Sequence, residues 1–117
     1  MGYLRHECLV VNHWNEKVLA EAHRAAVEIF GAVSDGMGTD YGKLVSPILP
    51  HVANGGGSFF IAPDGSKEGW QHSRLGDEAR EALTLRLQEI AVDWALVLVG
   101  GDDDEFRVLR SSAHAPA

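Results

Sequence analysis

The side chains best suited to chemistry crowd into one stretch, KEGWQHSR, which carries Lys67, Trp70, His72 and Arg74 directly after Ser66. An exposed indole stacks on a base or another planar ring, and Lys and Arg pair with phosphate oxygens. Ser66 and His72 add a hydroxyl and an imidazole for hydrogen bonding. A ligand site built from Ser66, Lys67, Trp70, His72 and Arg74 is therefore expected, for a small anion such as a cyclic nucleotide. The same residue types anchor protein interfaces. The competing reading is that Trp70 folds over a helix and covers the core. Trp14 and Tyr41 also lie in polar surroundings and suit either kind of surface.

Catalytic and metal chemistry have weaker material. Six histidines are present, at 6, 13, 23, 51, 72 and 114, with Cys8 the single cysteine. His6 and Cys8 alternate on one side of a strand, but a zinc site needs three or four convergent ligands. No His pair stands four apart in a helical stretch, so no metal is expected. Ser58, Ser66 and Ser73 lie near His72 and Asp64 in sequence, yet no Gly-x-Ser-x-Gly elbow occurs. Asp64 before Gly65 reads as a turn residue rather than a base. The glycines at 55, 56 and 57 precede a strand and lack a following Gly-Lys-Ser/Thr, so they are neither a P-loop nor a dinucleotide fingerprint. No catalytic residue and no cofactor is expected. A binding protein is favoured over an enzyme, and a small hydrolase using Asp64 and His72 ranks last.

The elements that must position this stretch follow from pattern. The chain's 117 residues, 45% apolar and 23% charged, suit one globular domain with a real core. It is expected over residues 1–111, with 112–117 a flexible tail. Arg5 to Asn12 reads as a first strand, apolar on both sides and so an inner one. Asn15 caps a helix whose stripe is Val18, Leu19, Ala22, Ala26, Ile29, Phe30 and Val33. Ser34 to Gly42 is a loop. Lys43 to Val52, broken by Pro47 and Pro50, is at best an edge strand. Ser58 to Ala62 is the next strand, with Phe59 and Ile61 on one side and Phe60 on the other.

The Pro63-Asp64-Gly65-Ser66 turn follows, then Lys67 to Arg74 as a loop. Asp77 is expected to cap a second helix with Ala79, Leu83, Leu87, Ile90 and Ala91 inward and Arg80, Glu81, Arg86 and Glu89 facing water. Trp94 to Val99 is the strongest strand signal, and Glu105 to Leu109 returns from it. The order β-α-β-β-α-β-β implies an α+β, ferredoxin-like fold with one extra C-terminal strand and both helices on one face of a mainly antiparallel sheet. A domain this small offers limited concavity, so a site shared between chains of a homo-oligomer is expected.

The formal charge of −7 disfavours duplex nucleic acid. Asp102, Asp103 and Asp104 with Glu105 form either a solvated turn or a patch that docks on a basic protein. A lone cysteine excludes an intrachain disulfide and suits a reducing cytoplasm. Arg5, His6 and Glu7 interrupt any leader-like stretch, and the longest apolar run, Trp94 to Val99, is far short of the ~20 residues a membrane span needs.

The segment Ser58-Phe59-Phe60-Ile61-Ala62-Pro63-Asp64-Gly65-Ser66-Lys67-Glu68-Gly69-Trp70 resembles small proteins encoded by tailed bacteriophages. The likeness extends over about Gly2 to Ala91 and brings no functional residues with it. It implies a bacterial host cytoplasm and a role by binding. Such a protein would sequester an anionic nucleotide signal that a bacterial defence system needs, or dock directly on a host defence protein.

Overall fold

The structure, a computed structural model, describes residues 3–65, 67–68, 71–102 and 106–113, with the side chains of 3–4, 67–68 and 71–73 left aside. It is an α+β fold in which two helices pack on an antiparallel sheet. The strands are β1 (Tyr3–His13), β2 (Leu49–Pro50), β3 (Gly57–Ile61), β4 (Lys67–Glu68), β5 (Asp93–Gly101) and β6 (Phe106–Ser111). The helices are α1 (Glu16–Gly31) and α2 (Gln71–Ile90), and Tyr41–Leu44 adds a 3₁₀ turn. The sheet order is β2-β3-β1-β5-β6, with two-residue β4 paired to the start of β1.

β1 lies inside the sheet because its centre, residues 8–11, is a continuous apolar run, and β3 and β5 hydrogen-bond to its two sides. Alternation divides its side chains. Leu9 and Val11 are wholly buried beneath the helices, whereas Val10 is exposed and Cys8 half-buried on the other face. The expected inner position between two strands is therefore correct. Both helices lie on the Leu9 side, so among the described residues only that face is covered by helix.

Asn15 starts α1 as its sequence requires. Its backbone is extended, and its Oδ1 accepts N–H bonds from Lys17 at 2.9 Å and Val18 at 3.2 Å. Leu19, Ala22, Ala25, Ala26 and Phe30 form the buried stripe, and the alanines let α1 approach α2 closely. The core joins them to Phe59 and Ile61 of β3, Leu83 and Leu87 of α2, and Trp94 and Leu96 of β5. Tyr41 belongs to this interior too, at 2% exposure, so it leaves the surface list while Trp14, at 69%, stays on it.

Prolines hold the β2 edge to two residues, as their missing donors dictate. Upstream of it, Ser46 N–H donates to the Phe60 carbonyl, and Phe60 N–H donates to Ser46 Oγ, each at 2.9 Å. His23 of α1 ties in the same strip, with its Nε2 2.9 Å from the Ser46 carbonyl oxygen and its ring edge-on to Phe59.

Two expectations about the central stretch are corrected. Lys67–Glu68 is strand rather than loop, and α2 starts at Gln71, six residues before Asp77. Asp77 is thus a residue of the second turn and no cap. Backbone pairing of Lys67 with Leu4 replaces the free loop, because β1 extends beyond β3 and leaves its first residues to be bonded. At the other end, Ser112 N–H donates to the Trp94 carbonyl at 2.9 Å, one residue into the expected tail; residues 114–117 lie outside the described ones.

Candidate functional site

α2 turns Gly76, Ala79, Arg80, Leu83, Thr84 and Leu87 inward. An arginine in that row is the anomaly. Arg80 was expected to face water, yet it is 5% exposed, because the helix starts earlier and its buried stripe is wider than the apolar residues alone mark. Burying a guanidinium is costly unless it is paired and hydrogen-bonded. Nη2 of Arg80 donates to Asp77 Oδ1 at 2.6 Å. Nε and Nη1 are buried with no hydrogen-bond acceptor among the described residues.

The geometry around Arg80 depends on a glycine. A Cβ on Gly76 would run into the Asp64 carboxylate and stand 3.4 Å from each Arg80 terminal nitrogen. Only the bare backbone at 76 lets the carboxylate at the end of the β3 turn and the α2 guanidinium close over the helix together. Positive φ at Gly65, +77°, turns the chain just after Asp64 as expected.

Arg80 lines a cleft of about 290 Å³ between α2 and the sheet, walled by Arg5 and Glu7 of β1, Asp77 and Glu81 of α2, and Arg110 of β6. Leu96 and Leu109 form its apolar part. The wall charges pair off: Arg5 Nε lies 3.3 Å from Glu7 Oε2, and Arg110 Nη2 bonds Glu81 Oε2. Arg110 is also held 6.0 Å from the Trp94 ring centre, at the limit of a cation–π contact. Three cations and three carboxylates line the cleft, and the Asp64 carboxylate stands close to Arg80 besides, so the lining carries no net positive charge. What it has is a buried guanidinium with N–H donors left to give. The field of Arg80 reaches Cys8, where burial pushes the thiol up and the Arg80 charge opposes it.

Of the residues of the expected ligand site, Arg74 is the one whose side chain is described, and it does not line this cleft. Ser66 and Trp70 lie outside the described residues, as do the side chains of Lys67 and His72. Lys67 stands on β4 and His72 in the first turn of α2. Arg74 is exposed, with Nε 4.0 Å from Glu78 Oε1, a surface pair of small energetic weight. Asp102 is exposed in the β5–β6 turn, and Asp103 and Asp104 fall outside the described residues.

A second polar cluster sits at the far end of the sheet. Ser58 Oγ donates to Asn12 Oδ1 at 2.7 Å, His51 Nε2 lies 2.7 Å from the same oxygen, and His51 Nδ1 lies 2.9 Å from the Gly55 carbonyl oxygen. Ser58 and His51 both bond to Asn12 and are not bonded to each other, so they are not a nucleophile and its base. Asn54, Gly55 and Gly56 carry φ of 65°, 73° and 75°, and a Cβ on Gly56 would collide with the His13 and Trp14 backbone. The glycine run is thus a close-packed return that His51 fastens. Among the described residues, no three His, Cys, Asp or Glu side chains come together as a metal site. No family model, curated protein or solved structure matches the chain.

Proposed function

We propose that the protein is a non-catalytic binding protein for a small oxyanion, with Arg80 as the anchor. The observation that carries this is a guanidinium 95% removed from solvent, lining a cleft, with Nε and Nη1 lacking acceptors among the described residues. A buried donor left unmade costs about 1–3 kcal/mol, and a carboxylate or phosphate oxygen would recover it with charge-assisted bonds. The cleft volume of about 290 Å³ lies at the lower end of ligand sites, which suits a phosphate- or mononucleotide-sized anion better than a dinucleotide.

In the setting that the phage resemblance implies, such a protein holds a nucleotide-type signal away from a host defence system. A ferredoxin-like plan is part of this reading. It is supported by the order β2-β3-β1-β5, in which β3 and β5 flank β1 and the two helices form the crossovers. β4 and β6 are additions to that plan. No described helix is long and apolar enough to cross a membrane.

The test is thermal unfolding with inorganic phosphate, acetate or adenosine monophosphate, against chloride at equal ionic strength. A bound anion raises Tm by mass action. The rise is expected in the native chain and absent in Arg80→Met, whose fold is checked by circular dichroism. Equal Tm in all four salts, or a rise that survives in Arg80→Met, defeats the proposal and leaves bound water as the partner of Arg80. Recovery of unchanged nucleotide after long incubation is expected, and its conversion would replace binding with catalysis.

A further inference from the structure

The side of the sheet away from the helices carries Val10 and Cys8 at its centre, Phe60 and Leu49 toward one edge, and Val97, Val99, Val108 and Phe106 toward the other. The register places them on one face. Val10 pairs with Phe60 and Ala95, Val97 with Val108, and Val99 with Phe106, while their sequence neighbours Leu9, Leu96 and Leu98 are buried under the helices. Val10, Phe60 and Val99 are each 41% exposed, Val108 57%, Leu49 59% and Phe106 70%. No Lys, Arg, Asp or Glu stands among them. Polar groups gather at the end of the strands, at Asn12, Ser58, Asp93 and Ser111. A shallow depression of about 350 Å³ opens beside Val10 and Ala95.

We propose that two copies of this chain pair through this face, sheet against sheet. Three observations select a second copy. The first is size: five strands about 4.8 Å apart and some six residues long present roughly 500 Å² in projection, and standing side chains raise the accessible area toward the ~800 Å² per partner of an ordinary specific interface. The second is composition, an apolar surface that runs from edge to edge and is bordered by polar groups at one end of the strands, more apolar than an ordinary exposed surface, as homodimer interfaces are. The third is charge. The chain carries a formal charge of −7, and among the described strand residues of this face Asp93, at the polar end, is the one acidic group. Such a sparsely charged surface is where two equally acidic molecules meet with little repulsion. β1 runs through its middle, so a two-fold axis near Val10 sets apolar residues against their own counterparts.

Sedimentation velocity over a concentration series tests this. The native chain is expected at twice its 12.7 kDa mass. The dimer should tighten with added sodium chloride, because salt screens the repulsion between acidic copies. Val10→Lys should weaken it at least tenfold, whereas Val27→Lys, on the outer side of α1, should not. Should Val10→Lys fail to fold, Cys8 of the native chain gives a second reading. It lies on the paired face, so its alkylation should slow as protein concentration rises. A chain monomeric at every concentration overturns the proposal and gives the face to another occupant. So does a dimer that salt dissociates, that Val10→Lys leaves intact, or in which Cys8 reacts at one rate throughout.

Discussion

Arg80 shows how one side chain redirects the reading of a helix. Its neighbours Ala79 and Leu83 mark an apolar stripe, and an arginine between them passes for a surface residue. The signal that places it inside is spacing, since Gly76, Arg80, Thr84 and Leu87 follow each other at four, four and three. Gly76 could be read as a flaw in the helix until Asp64 is seen to need its missing Cβ. That contact joins residues twelve apart through the fold, and local pattern carries no trace of it. Tyr41 was likewise hidden, because polar sequence neighbours say nothing of the core that receives its ring.

Tyr41 and Cys8 also set the response to alkali. Burial, with help from the Asp35 and Asp64 charges, raises Tyr41 above the ordinary phenol value of 10.0, and burial raises Cys8 above 9.0. Below those values both groups are neutral, folded or unfolded, and their contribution is intact. As pH climbs past 9.0 and then 10.0, the unfolded chain gives up each proton first, so folding stability falls with rising pH. Urea midpoints taken across this window should decline. Cys8→Ala should flatten the first part and Tyr41→Phe the second; an unchanged slope in both variants would refute the assignment.

At the scale of elements, α1 was legible because its start is written in one residue. The Asn15 cap supplies two bonds to the first turn, so Asn15→Ala should cost about 1 kcal/mol, read as a lower urea midpoint at constant m-value. A loss below a few tenths would mean that water replaces the cap. α2 was legible only from Asp77 onward, since KEGWQHSR has no apolar period. β4 is two residues held by backbone pairing to β1, an interaction that side-chain pattern does not encode. β2 was readable as a broken edge because proline states its own constraint.

At the scale of the molecule, the alternation of β1 and β5 gave the sheet but not its second layer. Apolar residues on both faces of a strand normally announce cover on both. Here the described residues provide two helices, both on one side, and Val10, Val97 and Val99 lie on the face that these leave open. The anion cleft and the open face use opposite sides of the sheet, so occupancy of one should leave the other's affinity unchanged within error.

The two rims of the sheet differ in a way that bears on misassembly. β2 ends in proline after two residues, which leaves little for another strand to copy. β6 is six residues long, FRVLRS, with one long side unpaired along the described sheet. Its guard is a pair of guanidiniums, Arg107 and Arg110, spaced between the apolar residues as gatekeepers. Replacing both with glutamine should leave the native fold standing and shorten the lag before fibrils appear on heating, with thioflavin fluorescence as the readout.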